Sequence, residues 1–186
     1  MRQHPQVRLE VNIANRNVDL VAEGYDLAIR LGALPDSGLV GRTLEDATLS
    51  VVASPDYLAA HGTPQTLDDL ATHACLPFVL PSSGRVAPWL FRVDGGDVDW
   101  VPCSRIEVSD DVLGVVSLAQ AGVGICQTYD FIIDACTRRG ADLVRVLPEL
   151  SGRTRPFSLI YAPHRRLSAA SRALIDALVS ATAMRA

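Results

Sequence analysis

The sequence lacks the features by which several classes of protein are recognised. Charged residues make up only 20% of the chain and hydrophobic residues 48%, a balance that excludes an intrinsically disordered protein. No run of about 18 or more apolar residues occurs, so we expect no membrane-spanning helix and no membrane partner. The first residues also lack the apolar stretch of a secretory signal. Together these absences predict a folded, cytoplasmic protein.

Positive charge is scarce as well. The formal net charge is −4, and the longest basic clusters are Arg138-Arg139 and His164-Arg165-Arg166. Proteins that hold nucleic acid usually carry a longer basic stripe along one face. We therefore expect that this chain does not bind DNA by itself.

Signals for a metal site or for catalysis are absent too. The four cysteines form no CxxC pair, and no cysteine and histidine have zinc-ligand spacing. No GxSxG turn or phosphate-binding loop accompanies the four histidines. We predict no metal, no cofactor and no catalytic residue, although a screen of hydrolase substrates would be needed to test an enzyme.

The apolar residues that are present follow strand and helix periods in alternation, which is typical of the α/β class. Residues 7–13 alternate apolar and polar, residues 18–22 have helical spacing, and residues 27–31 form an apolar run. This order predicts a βαβ unit with a parallel strand pair. A β-hairpin is expected over residues 89–101, and it makes the predicted sheet mixed.

Further elements are expected along the rest of the chain. Their boundaries are set by Pro at helix starts, Gly after helix ends and Ser, Thr or Asp at caps. We predict strands at residues 49–53, 76–80, 123–126, 143–147 and 157–161, and helices at residues 55–61, 66–70, 109–121, 129–137 and after Ser168.

Several stretches resemble, in order, characteristic stretches of the effector domain of LysR-type transcriptional regulators. The most specific is VDLVAEGYDLAIRLG, followed by ASPDYLAAHGTP and the capped helix and strand after Ser109. The matching stretches are residues 4–11, 18–32, 53–64, 109–125, 143–148 and 161–177. Because they cover essentially the whole chain, the sequence resembles this family from end to end.

The resemblance implies an α/β fold like that of periplasmic binding proteins. Two α/β lobes would be joined by two crossover strands, with a ligand cleft between them. One lobe would comprise residues 1–55 and 158–186, and the other residues 56–157. The family's winged helix-turn-helix is absent from the sequence, and the effector domain's own first strand and helix would precede His4. The resemblance thus implies a domain shortened at its N-terminus, with an open strand edge.

Ligands of open α/β sheets bind at the carboxyl ends of parallel strands, where loops and helix N-termini meet. Polar side chains and glycines that follow the predicted strands are therefore candidate ligand contacts. They are Asn15, Asn17, Arg30, Gly32, Ser82, Ser83, Ser109, Asp110, Gln127 and Thr128.

Each candidate also has a structural interpretation. Arg30 would clamp a carboxylate through two hydrogen bonds, or pair with a nearby acid: Asp26, Asp36 or Glu45. Ser109 would open a helix whose N–H groups attract an anion, or Ser109 or Asp110 would merely cap it. Gln127 and Thr128 stand where the family commonly carries Leu-Pro, which suggests a polar pocket floor. Ser82 and Ser83 would donate to a ligand or lie in a solvated turn.

The resemblance implies a sensor of a small-molecule effector in a bacterial transcription regulator, with a carboxylate as one candidate class of effector. DNA would be reached only through the winged helix-turn-helix of the full-length protein, which is expected to be a homodimer or tetramer. Two alternatives stay open. One is the solute-binding protein of a transporter, which would need a signal peptide or an anchoring cysteine, and the other is a non-functional remnant of a regulator.

Overall fold

The computed structural model describes residues 4–16, 18–32, 38–163 and 167–183. The strands, in chain order, are β1 (Ala28–Leu31), β2 (Val40–Ala53), β3 (Trp89–Val93), β4 (Gly96–Trp100), β5 (Cys126–Tyr129), β6 (Val144–Val146) and β7 (Thr154–Tyr161). The helices are α1 (Pro55–His61), α2 (Leu67–Leu70), α3 (Val112–Gln120), α4 (Asp130–Arg138) and α5 (Ala169–Ala183). No helix among the described residues is both long enough and apolar enough to span a bilayer.

The contacts divide the chain into two units. Unit 1 comprises Met1–Asp46 and Arg155–Ala186, and unit 2 comprises Ala47–Thr154. The chain passes from one unit to the other inside two strands, β2 and β7. The lobe boundaries expected near Ala53 and Phe157 stay a prediction, because they were inferred from the resemblance alone.

Unit 1 contains an antiparallel strand pair and the last helix. β1 lies antiparallel to β7, with Ala28 opposite Ile160 and Leu31 opposite Phe157. α5 follows Ser168, whose hydroxyl accepts a hydrogen bond from the Ser171 N–H at 3.0 Å. This is the N-cap that the sequence predicts, because Ser at this position satisfies an N–H that the helix leaves unpaired.

The predicted βαβ unit at the start of the chain is wrong. Residues 7–13 form no strand, although all of them are described, and residues 20–24 form a turn closed by Gly24 at φ +79°. β1 pairs antiparallel with β7 instead of parallel with residues 7–13. Alternation favours a strand only where a partner strand is present. Here the exposed fraction of Ile13 is 90%, so the apolar face of this segment is not packed.

Unit 2 is built around β2. β5 pairs with β2 at Leu49–Val52, and β6 pairs with it at Val51–Ala53, both antiparallel. Successive strand residues point to opposite faces, so Val51 and Val52 lie in two different apolar clusters. The Val51 cluster includes Tyr57, Phe91 and Ile125, while the Val52 cluster contains residues of α3 and α4. β2 is therefore covered on both faces.

Parallel contacts in unit 2 are single bridges rather than ladders. Cys75 pairs with Ile125, and Phe78 pairs with Val108, each in parallel orientation. The strand predicted at residues 76–80 is thus reduced to isolated bridges. β3 and β4 form a separate two-stranded sheet with a turn at Asp94 and Gly95, which confirms the predicted hairpin but not its place in a mixed sheet.

A close backbone contact at Gly124 makes the first of these bridges possible. The Ile125 N–H donates to the Ala74 carbonyl at 2.8 Å, and the Leu76 N–H donates to the Ile125 carbonyl at 2.8 Å. A Cβ atom on Gly124 would lie only 2.1 Å from the Ala74 carbonyl oxygen. Since both groups are backbone, only glycine fits here without moving one segment.

We predict that Gly124→Ala lowers the free energy of unfolding by about 3 kcal/mol, because the added methyl group overlaps a backbone atom that cannot turn away. Gly114→Ala is the matched control, since its Cβ would meet no atom closer than 3.4 Å inside α3. That change should raise the free energy of unfolding by roughly 0.5–1 kcal/mol through helix propensity. Urea denaturation followed by circular dichroism measures both. Equal effects of the two changes would contradict the steric account.

Candidate functional site

Three segments of unit 2 run parallel to one another and end at the same edge. The Val79 N–H donates to the Val108 carbonyl at 2.8 Å, and the Val108 N–H donates to the Pro77 carbonyl at 3.1 Å. The Cys75–Ile125 bridge places the third segment on the other side. Residues 82–84 and 109–110 follow two of these segments, whereas residues 127–128 lie inside β5, into which the third segment continues, and not after the strand expected at residues 123–126. We name residues 82–84, 109–110 and 127–128 the carboxyl edge of unit 2, because the parallel direction of the three segments leads toward them.

Ser82 and Ser83 lie in an exposed tight turn of this edge. The Leu80 carbonyl accepts hydrogen bonds from the Ser83 and Gly84 N–H groups, at 3.2 and 2.9 Å. The Ser83 hydroxyl accepts a long hydrogen bond, 3.4 Å, from the Arg85 N–H. Both serines are exposed, so the solvated-turn interpretation describes their geometry.

The sequence predicts a helix capped within residues 109–111, and α3 does begin at Val112, but its N-cap is Asp111, so the expectation that Ser109 opens the helix is wrong. The Asp111 carboxylate accepts from the Leu113 N–H at 2.9 Å. Asp110 has a φ of +63°, a left-handed conformation that a continuing helix does not allow. The N-terminus of α3 therefore already holds a negative charge of the chain, which weakens its attraction for a second anion.

Gln127 and Thr128 are both held by the fold. The Gln127 side chain accepts from the Leu90 N–H at 2.8 Å and donates to the Leu90 carbonyl at 2.9 Å. Thr128 is buried, opposite Ser50 in the β2–β5 pair. The polar pocket floor expected here stays a prediction, while the Gln127 amide contacts the main chain of β3.

The candidates of unit 1 surround β1. Arg30, which is half-buried, donates from Nη2 to the Val18 carbonyl. Among the described residues, none of the ion pairs within 4.0 Å involves Arg30, although the suggested partner Asp36 lies outside the described residues. The Gly32 N–H donates to the Pro156 carbonyl at 2.9 Å, with φ of +90° at Gly32.

The other two candidates precede β1 in the sequence. Asn15 is exposed, and Asn17 lies outside the described residues. Next to Asn15, both guanidinium Nη atoms of Arg16 donate to the Glu23 carboxylate, one of them at 2.7 Å. These hydrogen bonds hold the pKa of Glu23 below its usual value. The nearby cation Arg16 therefore already has an ion-pair partner within the chain.

No local pattern in the sequence indicates the contacts that hold the hairpin. Arg153 pairs with Asp97 at 3.4 Å and also with Asp99, and it joins the end of unit 2 to β4. Arg153 lies more than 50 positions from Asp97 and Asp99 in the sequence. The local sequence shows only that Asp97 and Asp99 alternate along one face of a strand. Tertiary pairing of this kind leaves no periodic signal.

The described residues offer no metal cluster, and burial makes two of the four cysteine thiols unreactive. No group of three or more His, Cys, Asp or Glu residues among them is placed to hold a metal ion. Burial raises the pKa of Cys75 and of Cys126 to about 12. Both thiols are therefore protonated at neutral pH and are poor nucleophiles.

Comparison with known proteins decides the family. Residues 1–183 match the model of the LysR substrate binding domain. The chain belongs to this family. Among curated relatives, the HTH-type transcriptional regulator CrgA of Neisseria meningitidis serogroup C (strain 8013) is 33% identical over 177 residues, which are 95% of this chain and 58% of CrgA. The LysR domain therefore spans a little over half of the length of this relative.

Solved structures of the family share the fold. The CrgA regulatory domain from Neisseria meningitidis, described as a LysR-type transcriptional regulator, has a TM-score of 0.75 at 34% identity, covering 87% of this chain and 78% of that one. The effector domain of AmpR of Pseudomonas aeruginosa has a TM-score of 0.78 at 25% identity, covering 99% of this chain and 85% of that one. The resemblance and the periplasmic-binding-protein-like α/β fold expected from the sequence are confirmed.

We predict that Asp111→Ala lowers the free energy of unfolding by about 1 kcal/mol, because an N–H at the start of α3 loses its acceptor. Asp111→Asn should retain most of the stability, since Asn is an equally good N-cap. Ser109→Ala is the control and should change the free energy of unfolding by less than about 0.5 kcal/mol. Urea denaturation measures all three. A larger loss from Ser109→Ala than from Asp111→Ala would show that the helix is capped at the position first expected.

Proposed function

We propose that this LysR domain binds a small-molecule effector and passes its occupancy to the DNA-binding part of a bacterial transcription regulator. The observation that carries the proposal is the family match over residues 1–183. The relatives named above are regulators, which favours this function over a solute-binding protein of a transporter.

We propose a carboxylate as the effector class, and Arg30 as the residue that supports this choice. Its guanidinium is half-buried and has a main-chain partner but no ion-pair partner among the described residues. A guanidinium offers five N–H donors, so one bond to the Val18 carbonyl leaves donors for a carboxylate. Ser82 and Ser83, whose side chains are exposed on unit 2, stay separate predicted contacts.

DNA contact and assembly belong to the full-length protein in this proposal. Since the curated relatives are longer and are described as HTH-type regulators, a helix-turn-helix outside residues 1–186 would contact DNA. The full-length protein would be a homodimer or tetramer. An effector changes such an assembly only by binding one of its conformations more tightly than the other.

A thermal-shift screen with benzoate, phenylacetate, butyrate and succinate tests the proposed function. A carboxylate present at about 100 times its Kd should add about 2.7 kcal/mol to the free energy of unfolding and raise Tm by roughly 5–10 °C. Arg30→Ala should weaken binding of that carboxylate at least about tenfold, because a charge-assisted pair is lost. Arg30→Lys should give an intermediate affinity, since lysine keeps the positive charge but cannot form bidentate hydrogen bonds to the carboxylate.

Arg138→Ala is the matched control, because Arg138 is an exposed arginine at the end of α4. It should leave the Kd measured by calorimetry unchanged. If no carboxylate raises Tm, the proposed ligand class is wrong. If a carboxylate binds Arg30→Ala as tightly as it binds Arg138→Ala and the wild type, the proposed role of Arg30 is wrong.

A further inference from the structure

The side chain of Gln127 bonds to the main chain of a residue 37 positions away. The Leu90 N–H donates to Gln127 Oε1 at 2.8 Å, and Gln127 Nε2 donates to the Leu90 carbonyl at 2.9 Å. A primary amide presents an acceptor and a donor on one planar group, as a peptide unit does. Gln127 therefore pairs with β3 in the way that a neighbouring strand would.

These two bonds lie on the side of β3 that β4 does not cover. Leu90 stands opposite Asp99 in the antiparallel pair, and in such a pair every second residue turns its main-chain groups away from the partner strand. Leu90 is only 7% exposed. Without Gln127, a buried N–H and a buried carbonyl would lose their partners, which a folded chain strongly avoids.

Other contacts hold the hairpin but do not act on this edge. Trp89 and Phe91 lie in the apolar cluster that contains Val51. On the far strand, Arg153 pairs with Asp97 and Asp99. Loss of the Gln127 amide should therefore release the Leu90 edge of β3 while the rest of the hairpin stays attached.

We propose that Gln127 is a positioning residue, which holds the β3–β4 hairpin against the carboxyl edge of unit 2, rather than an effector contact. The statement that Gln127 is not an effector contact rests on the proposed function, because it presupposes that this domain binds an effector. The amide that a ligand would use is committed to Leu90 on both of its polar atoms. Gln127 thus acts on any ligand through the hairpin.

The chain contains its own reporters for this contact. Its only two tryptophans, Trp89 and Trp100, both belong to the hairpin, and their ring centroids lie 5.5 Å apart. Tryptophan emission therefore reports the surroundings of the hairpin. Amide hydrogen exchange at Leu90, followed by NMR, reports the bond to Gln127 directly.

The experiment compares Gln127→Met and Gln127→Glu with the wild type at pH 8 and pH 5. Methionine has similar length but neither bonding group, so the Leu90 protection factor should fall at least tenfold at both pH values. Tryptophan emission should shift to longer wavelength. Gln65→Met and Gln65→Glu are the controls, because Gln65 is exposed and its amide donates only to the nearby Thr63 carbonyl. They should leave both readouts unchanged.

Gln127→Glu distinguishes this pairing from general packing by its pH dependence. At pH 8 the carboxylate still accepts from the Leu90 N–H, but it cannot donate to the Leu90 carbonyl and repels that oxygen, so protection should fall below the wild type, though less than in the methionine variant. Burial raises the pKa of the introduced carboxyl. The stabilising contact is therefore present at low pH and is lost as the pH rises through that raised pKa. At pH 5 the protonated carboxyl can donate and accept as the amide does, and Leu90 protection should recover to within a few-fold of the wild type.

Three results would overturn the proposal. The first is wild-type protection of Leu90 in Gln127→Met. The second is loss of protection in Gln127→Glu at both pH values while the wild type is unaffected. The third is loss of benzoate, phenylacetate, butyrate or succinate binding in Gln127→Met with Leu90 still protected, which would make Gln127 an effector contact. If none of these carboxylates binds the wild type, the proposed function fails while the exchange data still decide the role of Gln127.

Discussion

The close approach of two backbone segments at Gly124 is the constraint on which unit 2 depends. The Ala74 carbonyl oxygen occupies the space where a side chain at Gly124 would begin. Because the segments lie so close, Cys75 joins the apolar cluster on one face of β2, while the next residue, Leu76, joins the cluster on the other. The same contact sets the parallel direction that brings residues 82–84, 109–110 and 127–128 to one edge.

Polar groups next to this contact form hydrogen bonds with the side chain of Tyr57 in α1. The Tyr57 hydroxyl accepts from the Ala74 N–H at 2.9 Å and lies 3.1 Å from His73 Nδ1. Tyr57 is placed by α1, whose N-cap Ser54 accepts from the Tyr57 N–H at 3.2 Å. Both main-chain groups of Ala74 are thus bonded, one to Tyr57 and one to Ile125. Among the described residues, no fully buried side-chain N or O atom lacks a partner.

How far the sequence predicts this structure depends on the range of each interaction. Local chemistry was sufficient for α1 with its Pro55 start, for the short helix expected at residues 66–70 and for the hairpin expected over residues 89–101. Residues 7–13 show the opposite case, because their alternation does not reveal whether a partner strand exists. The targets of Gln127 and Arg30 were also beyond prediction, since a side-chain bond to a distant main-chain group requires no particular residue type there. The predicted ligand contacts of this chain stay predictions.

A residue near the end of a strand can contact a ligand only through polar groups that do not already form hydrogen bonds within the fold. On the carboxyl edge of unit 2, the fold uses the Gln127 amide to pair β3 and buries Thr128 between β2 and its neighbours. At the start of α3 it places the Asp111 carboxylate where an anion would otherwise bind. The serines of the exposed turn differ, because the β-hairpin and the helix would both keep their hydrogen bonds without those hydroxyls. Side chains of this exposed turn can therefore change without loss of the hydrogen bonds of the hairpin or the helix, whereas a change at Gln127 removes two hydrogen bonds to β3.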